Sequence, residues 1–128
     1  MIIGVGIDII EIERVKRALA DRPLLRGRLF TEREIAYCTG RSSADASFAA
    51  RFAAKEAVRK ACSRALPDKV MAWQEIEIVL QAGRPEIHIH GEAAALAARA
   101  GIARLEVSLS HSRDYACAMV VAEGSPSQ

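Results

Sequence analysis

Two periodicities divide the chain into a helical first half and a mainly extended second half. In residues 9–20 and 46–66 the apolar side chains fall on one face at helical spacing. Residues 2–7 form a short apolar run that predicts a buried strand. Later in the chain, polar and apolar residues alternate at 73–80, 86–90 and 105–110, which predicts three strands. An apolar run at 116–122 predicts one more.

Capping and turn residues separate these segments. Thr31 and Glu34 have the spacing of a capping box and open a short helix that stops near Gly40. An alanine-rich stretch, residues 92–99, predicts one more helix. This order of elements predicts an α+β fold, with a mainly antiparallel sheet packed against the long central helix. We expect residues 1–123 to form a single domain and residues 124–128 a flexible tail.

The helix at 46–66 carries an unusual group of charges. Four cations share an arc with a single acid: Arg51, Lys55, Arg59, Lys60 and Glu56. Glu56 and Lys60 stand four positions apart, in the order that favours an ion pair. One interpretation is a solvated helix face with one salt bridge. The other is a site for a polyanion, in which Glu56 holds a metal ion.

Asp8 follows the first predicted strand and has two interpretations. With Glu11 three positions later it has the spacing of a helix cap. It is also the second acid that a metal site would need. In the strand itself, Gly4 and Gly6 predict close backbone approach by another element. Residue 9 is isoleucine, so the third glycine of a dinucleotide-binding fingerprint is absent.

The histidines differ in what they predict. His88 and His90 point to one face of a strand, but a zinc site needs three or four ligands, and no third one is near in sequence. His111 stands where the strand at 105–110 gives way to a turn. A serine hydrolase built on His111 and Asp114 is disfavoured, because the G-x-S-x-G motif is missing. We favour a role for His111 in binding a ligand phosphate.

Composition narrows the class of protein. Hydrophobic residues make up 51% and charged residues 27%, as in a globular domain, and we expect neither a signal peptide nor a membrane span. Three cysteines without C-x-x-C spacing indicate reduced thiols and a cytoplasmic protein. Net charge is only +2, yet cations concentrate in residues 14–33, which predicts an acidic partner. The 5% of aromatics form no stacking row, so we expect no nucleic acid.

Several stretches in a fixed order carry a resemblance to a known family. Residues 4–9, 11–14, 30–34, 51–57, 83–85 and 108–111 together closely resemble the holo-acyl-carrier-protein synthases, the short class of 4′-phosphopantetheinyl transferases. The resemblance spans residues 2–123 and implies the fold of that family. It also implies transfer of 4′-phosphopantetheine from coenzyme A to a serine of an apo acyl carrier protein, releasing 3′,5′-ADP. The chain departs from the family at residues 62–70, where a glycine is common.

The resemblance implies roles for individual residues. Asp8 and Glu56 hold Mg²⁺ and, with Lys60, form the catalytic group, while Glu56 and a metal-bound water stay open as the general base. The residues implied to contact coenzyme A are Arg51, Lys60, Gly83, Arg84, Pro85 and His111. Lys55 and Arg59 would add positive charge near its phosphates. Arg14 and Arg17 dock the acidic carrier protein.

Two more expectations follow from the same resemblance. Longer relatives carry two such units in one chain, so a single-unit chain implies a homotrimer with active sites between subunits. The alternative is a non-catalytic module that binds coenzyme A or a nucleotide. Such a binder has little need of Asp8, because a carboxylate without a metal ion repels phosphates.

Overall fold

The computed structural model describes residues 1–126; Ser127 and Gln128, the end of the predicted tail, lie outside the described residues. The elements follow one another as β1 (Ile2–Glu11), α1 (Ile12–Asp21), α2 (Leu25–Leu29), α3 (Glu32–Thr39), α4 (Ala44–Cys62), a 3₁₀ turn (Trp73–Glu75), β2 (Ile76–Gln81), β3 (Arg84–Ile89), α5 (Gly91–Arg99), β4 (Ile102–His111) and β5 (Tyr115–Gly124). This order confirms the predicted α+β class. β5 runs one residue into the segment predicted as a tail.

The strands form two separate antiparallel sheets. β5 lies between β1 and β4 in a three-stranded sheet, and β2 and β3 form a hairpin of their own. The helix α4 crosses one face of the larger sheet. There the alanines of α4 pack against β5 in one apolar cluster, and a second cluster around Phe30 and Phe48 joins α4 to α1, α2 and α3. The long central helix is therefore covered on both sides.

Small residues set the distance between β1 and α4. A Cβ atom placed on Gly4 would collide with the carbonyl oxygen of Ala61, and one on Gly6 would collide with that of Ala57. Only glycine allows this approach, as the two glycines in the strand predicted. The approach brings the end of β1 within reach of side chains from the second half of α4.

The first helix begins three residues later than predicted. β1 continues to Glu11 because its residues pair with β5 in register, Asp8 opposite Ala118 and Ile10 opposite Ala116. The interpretation of Asp8 as a helix cap is therefore wrong, since Asp8 lies within the strand. The N-cap of α1 is Glu11, whose side chain makes no capping hydrogen bond.

Other boundaries also differ from the prediction. α4 ends at Cys62 rather than near residue 66, and the chain leaves it through turns. Residues 73–75 form a 3₁₀ turn instead of the start of a strand. The capping box is confirmed: Thr31 Oγ1 accepts from the backbone N–H of Glu34 at 3.1 Å, and Glu34 Oε1 accepts from that of Thr31 at 2.9 Å. Among residues 1–126, no helix combines the length and the apolar character needed to cross a membrane.

Candidate active site

Asp8 and Glu56 meet at one cleft of about 500 Å³, here called the Asp8 cleft. Asp8 comes from β1 and Glu56 from α4. Apart from these acids and Arg14, its walls are apolar: Ile9, Ile10, Val15, Ala18, Leu19, Leu25, Leu29, Phe52 and Trp73. The cleft thus presents two carboxylates and one guanidinium among apolar walls.

Two carboxylates are also the protein ligands that Mg²⁺ commonly uses, with water and phosphate oxygens completing its octahedron. The donor set of the Asp8 cleft therefore fits this ion. Within residues 1–126, no three side chains of His, Cys, Asp or Glu come together as a larger metal site.

Lys60 reaches the Asp8 cleft from the next turn of α4. Its ammonium lies 3.0 Å from Asp8 Oδ1 and donates to the carbonyl oxygen of Ile7, also at 3.0 Å. The predicted ion pair between Glu56 and Lys60 is wrong, because Lys60 turns to β1 instead. The close approach of β1 to α4 explains why Lys60 contacts β1 rather than Glu56, since β1 offers it two acceptors, Asp8 and Ile7.

Lys55 has a different environment from that of Lys60. Its side chain is completely buried, and its ammonium contacts Glu34 Oε1 at 2.8 Å and donates to the carbonyl oxygens of Trp73 at 2.8 Å and Ile76 at 2.6 Å. Burial lowers the pKa of Lys55, and the charge of Glu34 opposes that shift. With all three donors used, Lys55 cannot contact a ligand, so its expected part in a phosphate-binding field is wrong.

Arg59 is also engaged within the fold. Its guanidinium lies 3.2 Å from the ring centroid of Trp73, and its Nε donates to the carbonyl oxygen of Met71 at 3.0 Å. The Trp73 ring packs against Phe52 at 5.2 Å between centroids. Arg59 thus holds the aromatic wall of the Asp8 cleft and fixes the segment that follows α4.

Arg51 lies in a second depression, the Arg51 groove, of about 210 Å³. The groove is lined by Tyr37, Arg41, Ala46, Ser47, Ala50, Arg51, Leu80, Pro85, Leu109, Ser110 and His111. Arg51 is 5% exposed and stacks on Tyr37 at 4.4 Å, and its Nε has no hydrogen-bond partner among the described residues. Arg51 therefore keeps its positive charge at the groove with the Tyr37 ring, rather than an acid, as its neighbour among residues 1–126.

The remaining residues predicted to bind coenzyme A lie at or near the Arg51 groove. His111 ends β4, is exposed, and contacts the carbonyl oxygen of Ser112 at 3.4 Å rather than a serine hydroxyl or Asp114. Pro85 lines the groove, while Gly83 (φ 78°) lies in the β2–β3 turn and Arg84, the residue before Pro85, begins β3. The Asp8 cleft and the Arg51 groove share no lining residue, so one chain presents the predicted site in two parts.

The other histidines are engaged by acids. His88 Nε2 lies 3.3 Å from Glu86 Oε1, and His90 Nε2 lies 3.0 Å from Glu77 Oε1. Burial raises the pKa of Glu77, but hydrogen bonds from Thr31 and His90 outweigh that effect and hold it below its usual value. Both histidines therefore complete hydrogen-bonded pairs on the β2–β3 hairpin, away from the Asp8 cleft.

The residues predicted to dock a partner lie on α1. Arg14 lines the Asp8 cleft, and Arg17 is exposed beside Glu13, 4.0 Å away. Sequence reasoning missed three contributors: Glu34, which neutralises Lys55, Trp73 in the cleft wall, and Tyr37 under Arg51. Glu34 carried a signal as the end of the capping box, but nothing in the pattern showed that its second oxygen accepts from the backbone N–H of Ile78 at 2.9 Å.

Comparison with known proteins agrees with the resemblance. The family model of the 4′-phosphopantetheinyl transferase superfamily matches residues 4–120. The holo-[acyl-carrier-protein] synthase of Moorella thermoacetica is 48% identical over 124 residues, which cover 96% of this chain and 95% of that protein. The synthase of Neisseria meningitidis superposes with a TM-score of 0.85 at 30% identity over 96% of this chain and 99% of that one.

A third relative was solved with a ligand. The holo-(acyl-carrier-protein) synthase of Bacillus anthracis, in complex with CoA (3′,5′-ADP), superposes with a TM-score of 0.76 at 31% identity, covering 98% of this chain and 99% of that one. These matches span both parts of the site and confirm the predicted fold. The chain belongs to the 4′-phosphopantetheinyl transferase superfamily.

Proposed function

We propose that this protein transfers the 4′-phosphopantetheine group of coenzyme A to a serine of an apo acyl carrier protein, releasing 3′,5′-ADP. The observation that carries the proposal is the meeting of Asp8 and Glu56, distant in sequence, at one cleft beside Lys60. Relatives of nearly full-length coverage are named holo-[acyl-carrier-protein] synthases, and one of them was solved with coenzyme A.

Asp8 and Glu56 would hold Mg²⁺ in the Asp8 cleft. When bound, this ion would neutralise the charge of the pyrophosphate, which is the main requirement of phosphoryl transfer. The rest of the catalysis falls to the chain itself. Lys60 supplies a movable positive charge to the phosphates, and the apolar walls of the cleft limit the access of water.

The transfer exchanges one P–O bond for another. The serine oxygen of the carrier forms a bond to the β-phosphorus of coenzyme A, while the bond from that phosphorus to the 3′,5′-ADP group breaks. The serine proton passes to a base. Glu56, which makes no ion pair among residues 1–126, or a water beside it would accept that proton. The Lys60 ammonium stabilises the negative charge on the departing phosphate.

The Arg51 groove would bind the nucleotide end of coenzyme A. Arg51 lines the groove with no acid beside it among residues 1–126, so its guanidinium would pair with a phosphate of the substrate, and His111 lines the same groove. The turn at Gly83 and Arg84 lies against it. These residues bind the substrate without taking part in bond exchange.

We further propose a homotrimer, in which the Asp8 cleft of one subunit faces the Arg51 groove of another. Two features support it: the separation of the two parts on one chain, and the exposed apolar outer face of the three-stranded sheet. Paired residues Ile7 and Met119 lie on that face, next to Val5 and Ile9. Exposed apolar surface of this kind is typical of an interface between subunits.

Subunit mixing tests the shared site. Asp8→Ala is expected to be inactive, and Arg51→Ala to be nearly so at coenzyme A concentrations well below its raised KM. When the two are co-expressed and assayed at such a concentration, sites pairing an intact Asp8 cleft with an intact Arg51 groove should form. Random assembly would restore about one quarter of the wild-type activity. No recovery in mixed assemblies would contradict a site shared between chains, and a monomeric mass in solution would contradict the trimer.

The carrier protein would dock on α1. Arg14 and Arg17 present positive charge beside the Asp8 cleft, which complements an acidic partner. Arg14→Glu should raise KM for the carrier without changing the affinity for coenzyme A. An equal loss for both substrates would contradict this assignment.

The three cysteines bear on where the protein works. Cys38, Cys62 and Cys117 are free thiols, and burial raises the pKa of Cys38 and Cys62 to about 11. Unpaired thiols suit a reducing compartment. We therefore propose a cytoplasmic location.

Mass spectrometry tests the proposed reaction. An apo carrier incubated with the protein, coenzyme A and Mg²⁺ should gain the mass of one phosphopantetheine group, and Asp8→Ala should prevent that gain. Coenzyme A binding without a mass gain on any of a panel of apo carriers would favour the non-catalytic binding module. Absence of both binding and mass gain would contradict both interpretations.

A further inference from the structure

A cation already occupies one of the proposed metal ligands. Lys60 contacts Asp8 Oδ1 at 3.0 Å, and a second hydrogen bond to the carbonyl oxygen of Ile7 holds it there. Asp8 is only 17% exposed in its side chain, so few other groups can reach its carboxylate. Glu56, one turn earlier on α4, forms no ion pair among the described residues. Of the two acids, only Asp8 makes an ion-pair contact among residues 1–126, whereas Glu56 feels the charge of Arg59 without contacting it.

The contact between Lys60 and Asp8 can break and re-form without disturbing the fold. The Lys60 side chain is 51% exposed and lies on a flexible stem, so it can leave Asp8 without opening the core. Ion pairs of this exposure contribute about 0–1 kcal/mol. Lys55, by contrast, is fully enclosed by Glu34 and two carbonyl groups, and cannot move without unfolding its surroundings.

We propose that Lys60 and the divalent cation compete for Asp8, and that metal binding moves the Lys60 ammonium from Asp8 to the phosphates of the substrate. The inference rests on the proposed function, since it takes Asp8 as a metal ligand. A divalent ion on Asp8 would place two cations against one carboxylate, and their repulsion expels the monovalent, exposed one. The phosphates in the same cleft then receive it.

This exchange makes Lys60 a coupling element between two ligands. In the free protein Lys60 weakens metal binding, because the metal ion must displace it. With coenzyme A bound, the phosphates hold Lys60 away from Asp8, and that penalty disappears. By linkage, metal and coenzyme A strengthen each other's binding, and part of this mutual effect depends on Lys60.

Titration with Mn²⁺ tests the exchange, followed by electron paramagnetic resonance of the free ion and by fluorescence of Trp73, the single tryptophan, which lines the Asp8 cleft. Without coenzyme A, Lys60→Met should bind Mn²⁺ roughly three- to fivefold more tightly than wild type, as the loss of a half-exposed ion pair predicts. With coenzyme A, this advantage should vanish. Lys60→Arg should bind like wild type, because it keeps the competing charge.

Lys69→Met is the matched control, since it removes one exposed lysine away from the Asp8 cleft and should leave Mn²⁺ binding unchanged. Equal or weaker Mn²⁺ binding by Lys60→Met in the absence of coenzyme A would overturn the exchange while leaving the metal site in place. Wild-type protein that binds no Mn²⁺, with or without coenzyme A, would overturn the proposed metal site and the exchange together.

Discussion

The helix α4 carries two lysine–carboxylate pairs, five residues apart, that serve opposite purposes. Lys55 and Glu34 meet at 2.8 Å with both side chains completely buried, and each uses its remaining polar atoms on the backbone. Lys60 and Asp8 meet at 3.0 Å beside a cleft, with half of the lysine exposed. The distances are nearly the same, so what separates the two pairs is enclosure.

Enclosure decides what each pair can do. A buried pair that is fully hydrogen-bonded fixes the elements around it, and removing one partner leaves an uncompensated charge in the core. Lys55 thereby joins α4 to α3, the 3₁₀ turn and β2, and sets how Glu56, the next residue, is presented. An exposed pair contributes little to stability and can exchange partners. The Lys55–Glu34 pair therefore stabilises the fold around the site, and the Lys60–Asp8 pair is free to take part in binding.

The largest effect should follow from the open pair. Asp8→Asn keeps the shape of the side chain but removes the charge, so transfer should fall by roughly 10⁴-fold, about 5 kcal/mol of transition-state stabilisation. Urea unfolding should show almost no loss of stability. A variant that unfolds easily, or one that retains most of its transfer rate, would contradict the functional character of this pair.

The enclosed pair should respond in the opposite way. Lys55→Met leaves Glu34 charged and buried, and should lower the free energy of unfolding by about 3–5 kcal/mol. Adding Glu34→Gln to that variant should recover part of the loss, because the unpaired charge at this position is then removed. Urea denaturation of both variants, with Lys69→Met as the control, measures the difference. If the double variant were no more stable than Lys55→Met, the broken ion pair would not be the cause of the lost stability.

A smaller effect extends the comparison to the first cation of α4, Arg51, which is buried like Lys55 but whose Nε has no acceptor among residues 1–126. Arg51→Met should weaken binding of coenzyme A by about 10- to 100-fold, as the loss of charged hydrogen bonds predicts. Stability and Mn²⁺ affinity should stay unchanged. Calorimetry measures the effect, with Arg64→Met, an exposed position outside the groove, as the control. Equal affinities of the two variants for coenzyme A would contradict the assignment of the Arg51 groove to the nucleotide.

Local rules predicted much of the scaffold from the sequence. Gly4 and Gly6 indicated the close approach of another element, and Thr31 with Glu34 indicated a helix start, because each pattern depends on neighbours in sequence. The α+β class followed from the change of period after residue 72. The predicted end of β1 was wrong because the length of this strand depends on its pairing with β5, which lies at the other end of the chain.

The partners of the charged residues could not be read from local spacing. Helical spacing paired Lys60 with Glu56, whereas the fold offers it Asp8 and Ile7 across a contact that only the two glycines permit. Lys55 looked like its neighbours on the charged arc, and only the fold shows that α3 and β2 enclose it. The division between the Asp8 cleft and the Arg51 groove likewise depends on tertiary structure.

The most direct test of the account is the anomalous difference map of crystals grown with Mn²⁺ and coenzyme A. We expect one strong peak bound by the carboxylates of Asp8 and Glu56, with the Lys60 ammonium moved from Asp8 to a phosphate. A peak elsewhere, or Lys60 still paired with Asp8 beneath bound coenzyme A, would contradict it.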